Sequence, residues 1–133
     1  MSVANDTGGF TPILRPNHLV APTNNPKIRQ AILTALDQNA FVESVVGDQK
    51  ELAIVPTGLF APTMPMANKA GMEKVTGPRN LARAKQMVAE SGYKGEPIMI
   101  MSPTDQPASA QMSEVARALF ESIGLKVDFR AMD

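Results

Sequence analysis

The sequence predicts an α/β domain, a small mixed sheet with flanking helices that closes in a C-terminal β-α-β unit. Two observations carry this. Residues 77–101, "GPRNLARAKQMVAESGYKGEPIMIM", begin with a helical period of Leu81, Ala84, Met87 and Val88 and end in the apolar run "PIMIM", with Gly92 between them. Residues 97–131 then read as strand, helix, strand, which implies two parallel strands joined by a right-handed crossover.

The elements follow in order. Residues 1–12 carry turn formers and little periodicity, so a flexible or extended segment is expected there, with residues 13–133 forming a single unit. "ILRPNHLV", 13–20, reads as a short strand, irregular or at an edge because Pro16 lacks an N–H. Asn25 is a natural N-cap and Pro26 a natural first helical residue; Ile28, Ala31, Ile32, Ala35 and Leu36 then form one apolar face. A second short helix, "QNAFVESVVGD", is expected to bury Phe41, Val42, Val45 and Val46 and to end at Gly47.

Residues 48–78 hold Pro56, Pro62 and Pro65 and no clear period, a long irregular stretch of the kind that has a function or is flexible; within it "FAPTMPMANKAGM", 60–72, is expected to pack along the domain. The next helix runs from an Asn80 cap to Ser91, and Gly92 supplies the left-handed stop. "PIMIM" is a buried strand. A helix over 110–123 has Met112, Val115, Ala116, Leu119, Phe120 and Ile123 along one side and ends at Gly124. "LKVDFRA" alternates strictly, with Leu125, Val127, Phe129 and Ala131 on one face and Lys126, Asp128 and Arg130 on the other, as in a half-buried strand.

Composition narrows the chemistry. The 133 residues carry thirteen basic and thirteen acidic side chains, so there is no electrostatic footprint for nucleic acid. No cysteine is present, which excludes disulfides, thiolate metal sites and a cysteine nucleophile. Nine Met against five Phe, one Tyr and no Trp point to methionine as core filler. "MSVANDTGGF" lacks the apolar core of a signal peptide, and the longest apolar runs are too short to span a bilayer.

Catalytic and metal readings find little support. His18 is the only histidine, and no second His or Cys is available as a transition-metal partner. Neither glycine-rich phosphate motif occurs. Lys69, Lys74, Arg79, Arg83 and Lys85 are interspersed with Glu73 and Glu90, as on a solvated face. No catalytic residue, metal or cofactor is therefore assigned.

The informative polar stretch is "SPTDQPAS", 102–109, which leaves the carboxyl end of a parallel strand and opens a helix. Ligands of open α/β sheets gather there, because helix N-termini offer free N–H groups. Ser102, Thr104 and Asp105 are the candidate ligand-binding residues, with Asp105 suited to a cationic group such as a peptide's amino terminus. The competing expectation is that Asp105 or a neighbour only caps the helix.

Three segments in sequence carry a family resemblance. Asn25, Pro26, Ile28, Arg29 and Ala31 match N-P-x-[VI]-R-x-A. Ala84, Lys85, Met87, Val88, Ala89, Glu90, Ser91, Gly92 and Tyr93 match A-K-x-[LM]-[LV]-A-E-[AS]-G-Y. Ile123, Gly124, Leu125 and Val127 match [LI]-G-[IL]-x-V. Together, over residues 13–133, they resemble extracellular solute-binding proteins of the peptide- and nickel-binding family, the receptors of bacterial ABC importers.

The resemblance implies one lobe of a type II periplasmic-binding-protein fold. Such receptors are several times longer and trap a peptide or other small solute between two hinged lobes. It implies a periplasmic location, with the signal peptide outside this fragment. The implied partners are the ligand, the missing second lobe of the same polypeptide and a membrane ABC permease, with no nucleic acid. Beyond Asp133 the family continues into a Trp- and Asp-containing segment that often lines the pocket. The alternatives are a small α/β hydrolase-like enzyme domain, or a protein-interaction module acting through "FAPTMPMANKAGM", 60–72.

Overall fold

The computed structural model describes residues 11–132. The expected flexible segment therefore lies almost wholly outside the described residues. The described residues include five α-helices, a single 3-10 turn at Lys50–Leu52 and two strands. They are α1 Pro26–Ala35, α2 Gln38–Val46, α3 Glu73–Thr76, α4 Leu81–Glu90, β1 Ile98–Pro103, α5 Pro107–Ser122 and β2 Val127–Met132.

β1 and β2 pair in parallel, Ile98 opposite Val127 and Pro103 opposite Met132, with α5 as the crossover. The sheet among the described residues is thus parallel and two-stranded rather than mixed. α5 packs on one face of it, α2 packs on α5, and α1 packs on α4. One core joins these layers: Ile28, Ala31, Ile32 and Ala35 of α1, Ala84 and Val88 of α4, Ile98 and Ile100 of β1, and Ala116, Leu119 and Phe120 of α5. Ile123 and Leu125 complete it.

The helix boundaries follow their caps. Asn25 Oδ1 accepts from the Lys27 N–H at 2.9 Å, and Asn80 Oδ1 accepts from the Arg83 N–H at 2.9 Å. Gly92 and Gly124 adopt φ of 81° and 89°, the left-handed conformation that ends α4 and follows α5.

Five expectations are corrected. Residues 13–20 form no strand. Asn17 Oδ1 accepts from the Leu19 N–H, Thr23 Oγ1 donates to the Asn17 carbonyl at 2.6 Å, and the Asn24 N–H donates to the Val20 carbonyl. Local turns thus take the groups a strand would offer to a neighbour. α2 buries none of its residues fully; Phe41, Val42, Val45 and Val46 are half-buried.

Methionine is not the core filler expected: among the described residues no Met is fully buried, Met87 packs against the core from outside it, and Met64, Met66, Met99, Met101 and Met132 are exposed. "PIMIM" is accordingly buried on one face only, Ile98 and Ile100 inward and Met99 and Met101 outward. Nor does the Pro- and Met-rich stretch pack down along its length, since Leu59 is 87% exposed and Met66 62%. Its anchor is Gln38, whose amide bonds both the Thr57 N–H and the Thr57 carbonyl at 2.8 Å, a side-chain imitation of a strand pair.

Candidate functional site

The carboxyl end of β1 leads through Thr104, Asp105 and Gln106 into α5. β1 places Ser102 on its inner face with Ile98 and Ile100, and Ser102 is 5% exposed. The Thr104 N–H donates to the Met132 carbonyl at 2.9 Å, extending the sheet by one bond and fixing where the turn starts. Thr104 and Asp105 are exposed. The structure therefore brings Thr104 and Asp105 to the surface at one sheet end, and sets Ser102 beneath them.

Asp105 is not the helix cap. Gln106 holds that position, and its side chain caps no N–H; instead Ser109 Oγ donates to Gln106 Oε1 at 3.3 Å. Pro107 has no N–H to satisfy. The first turn of a sixteen-residue helix thus opens beside an exposed carboxylate that makes no hydrogen bond or ion pair among the described residues. Other acids of the β1–α5–β2 unit are committed: Asp128 to Arg130 at 2.7 Å, and Glu114 and Glu121 to Arg117, whose guanidinium also lies 5.4 Å from the Phe129 ring centre.

A separate hollow of about 300 Å³ lies at the α1–α2 turn, lined by Leu36, Asp37, Gln38, Val55, Pro56 and Arg79 among others. Two of its polar side chains serve the scaffold. Asp37 caps α2 through the Asn39 N–H, and Gln38 holds Thr57. Exposed His18 belongs to neither place.

Sequence reasoning missed the function of the motif residues. Asn25 caps α1 with one side-chain atom and with the other, Nδ2, donates to the Ser91 carbonyl at 3.0 Å. Arg29 Nη1 donates to the Thr23 and Asn24 carbonyls, bracing the turn that enters α1. Tyr93 Oη donates to the Glu96 carbonyl at 2.9 Å and accepts from the Lys126 N–H at 2.8 Å. The available signal was that these residues occur in motifs while carrying polar atoms the helical pattern did not use.

Comparison with known proteins now has geometry to rest on. A probable peptide ABC transporter periplasmic-binding protein of Sinorhizobium fredii is 34% identical over 127 residues, 94% of this chain and 23% of that protein. The chain thus spans about a quarter of its curated relative. Two solved structures share the fold. The ABC transporter substrate-binding protein CtaP of Listeria monocytogenes superposes with a TM-score of 0.72 at 18% identity, over 84% of this chain and 22% of that one. AppA of Clostridium difficile, a putative peptide-binding protein, gives 0.66 at 23% identity, over 86% and 23%. Its periplasmic-binding-protein fold agrees with a sequence profile that matches residues 1–133 throughout: the chain belongs to the bacterial extracellular solute-binding proteins, family 5.

Proposed function

We propose that this chain is one lobe of the substrate-binding component of an ABC-type importer, non-enzymatic and working outside the cytoplasmic membrane, in the periplasm. The observation that carries the reading is the family match along residues 1–133, joined to relatives about four times longer. The ligand is a peptide or a similar small solute held between this lobe and the second lobe of the same polypeptide. Ligand favours the closed state by touching both lobes at once, and the closed receptor docks on the membrane permease.

Thr104 and Asp105 face that ligand, with Ser102 supporting the strand end below them. Asp105 accepts from the ligand's cationic end, and the first turn of α5 adds its positive dipole for an anionic group nearby. A receptor with micromolar affinity has about 8 kcal/mol of binding free energy. Shared equally between two lobes, that leaves one lobe with a dissociation constant of roughly a millimolar.

The test is calorimetry on the full-length receptor against a short-peptide library, then on its Asp105→Asn variant. Binding should be tight in the parent and fall roughly tenfold in the variant, the loss of one charge-assisted hydrogen bond. Tight binding by residues 1–133 alone, or turnover of any bound peptide, would overturn the proposal.

A further inference from the structure

The hollow at the α1–α2 turn holds more chemistry than its scaffold duties use. It lies where three connections meet: the α1–α2 turn, the Val55–Pro56 segment and the residues that lead from α3 into α4. Leu36, Val55, Pro56 and Val75 give it apolar walls, and Asp37 and Arg79 put one charge of each sign on its lining. Its volume of about 300 Å³ stands at the lower end of the range for small-molecule sites.

The two charges do not neutralise each other. Arg79 makes no hydrogen bond or ion pair among the described residues, so its guanidinium keeps its full set of donors. Half-buried Asp37 spends Oδ1 on the Asn39 N–H at 3.0 Å, and its other oxygen is unspent. The Asn39 amide and the Thr76 hydroxyl, on the same lining, are unspent too. An acid and a base that share a hollow without pairing leave room between them for a molecule carrying both complementary charges.

The charge pattern selects the kind of molecule. A simple anion on Arg79 would also meet the Asp37 carboxylate, and a simple cation on Asp37 would also meet Arg79, so repulsion opposes both. A zwitterion escapes the conflict. We propose that the hollow binds a free amino acid with an apolar side chain. Its carboxylate pairs with the Arg79 guanidinium, its ammonium donates to Asp37 Oδ2, and its side chain lies against Leu36, Val55 and Val75. This is a second solute site, beyond the one at the opening of α5: none of Ser102, Thr104 and Asp105 lines the hollow.

The probe is L-leucine, titrated into the isotope-labelled full-length receptor while the Asn39, Thr76 and Asp105 amides are followed by NMR. The Asn39 and Thr76 amides should shift together and saturate with a dissociation constant of roughly a millimolar, as two charge-assisted contacts at an open site allow. Leucinamide lacks the carboxylate and N-acetylleucine lacks the ammonium, and each should bind roughly tenfold more weakly. Arg79→Gln, a change at an exposed residue without a partner, should weaken leucine binding by the same factor, roughly tenfold. Asp105→Asn should leave the Asn39 and Thr76 shifts as they are, so failure here and failure of the proposed solute site are read separately. No saturable shift at Asn39 and Thr76 overturns the proposal. So does binding of either blocked form as tightly as leucine, or an Arg79→Gln receptor that binds leucine like its parent.

Discussion

Replacing Tyr93 by Phe removes one atom, and the structure says what that atom does. The Tyr93 hydroxyl donates to the Glu96 carbonyl at 2.9 Å and accepts from the Lys126 N–H at 2.8 Å. The Lys126 carbonyl in turn accepts from the Ile98 N–H at 2.9 Å, the first bond between the strands. The hydroxyl therefore ties the α4–β1 loop to the entrance of β2 and sets the pairing of Ile98 with Val127. Phe keeps the ring against the core and deletes both bonds. Each is worth about 1 kcal/mol net, and water reaches exposed Lys126, so the loss should total about 1–2 kcal/mol. For a chain of this size that lowers the melting temperature by roughly 3–8 °C. Urea unfolding should show an earlier midpoint with unchanged slope, and exchange of the Lys126 amide should quicken. A loss under about 0.5 kcal/mol with unaltered Lys126 exchange would refute the bridging role.

Other consequences are equally direct. Asn25→Ala should cost about 2 kcal/mol, the helix cap plus the bond to Ser91, whereas Asn25→Asp keeps the cap acceptor and should cost about half as much; equal losses in urea titrations would contradict this. Phe120→Ala empties a site 3% exposed at the centre of the core and should cost about 3–5 kcal/mol, measured by the same titration. Glu96 is held below its ordinary pKa of 4.5, first by its own backbone N–H and then by that of Lys94. A depressed carboxylate stabilises the fold above its unfolded pKa and loses that contribution as pH falls through its folded one. The stability difference between the parent and Glu96→Gln should thus be steady at neutral pH and shrink below about 4.5; a difference that grew on acidification would reverse the assignment.

Some of this architecture is written in short stretches. Asn25 with Pro26, Asn80, Gly92 and Gly124 each mark a helix end through groups within a few residues, and each marks it correctly. The β-α-β unit is legible because Ile98, Leu119 and Val127 belong to segments whose periods differ. "PIMIM" misleads because every residue in it is apolar, so the run cannot say that only its isoleucines face inward. Residues 13–20 mislead because Asn17 and Thr23 offer the backbone local partners that outbid a ladder. At the candidate site, the sheet order places Thr104 and Asp105, but which residue caps α5 depends on backbone angles no composition reveals; Gln106 sits at φ −124° and ψ 88°. The bond from Asn25 to Ser91 spans 66 residues, beyond any local pattern.

That long bond changes what the family motifs mean. Asn25 of the first motif donates to Ser91 of the second. Ser91 Oγ accepts from the Tyr93 N–H, and the Tyr93 hydroxyl accepts from Lys126, which lies between Leu125 and Val127 of the third. The three motifs thus form one polar chain linking the start of α1, the end of α4 and the entrance of β2, and its members satisfy one another. Groups so occupied have little left for a solute. The residues that identify the family are scaffold, which is why they are recognisable without disclosing what is bound. The exposed Asp105 carboxylate at the opening of α5 is, by contrast, unspent, which is why the proposed binding role rests on it and not on the motif residues.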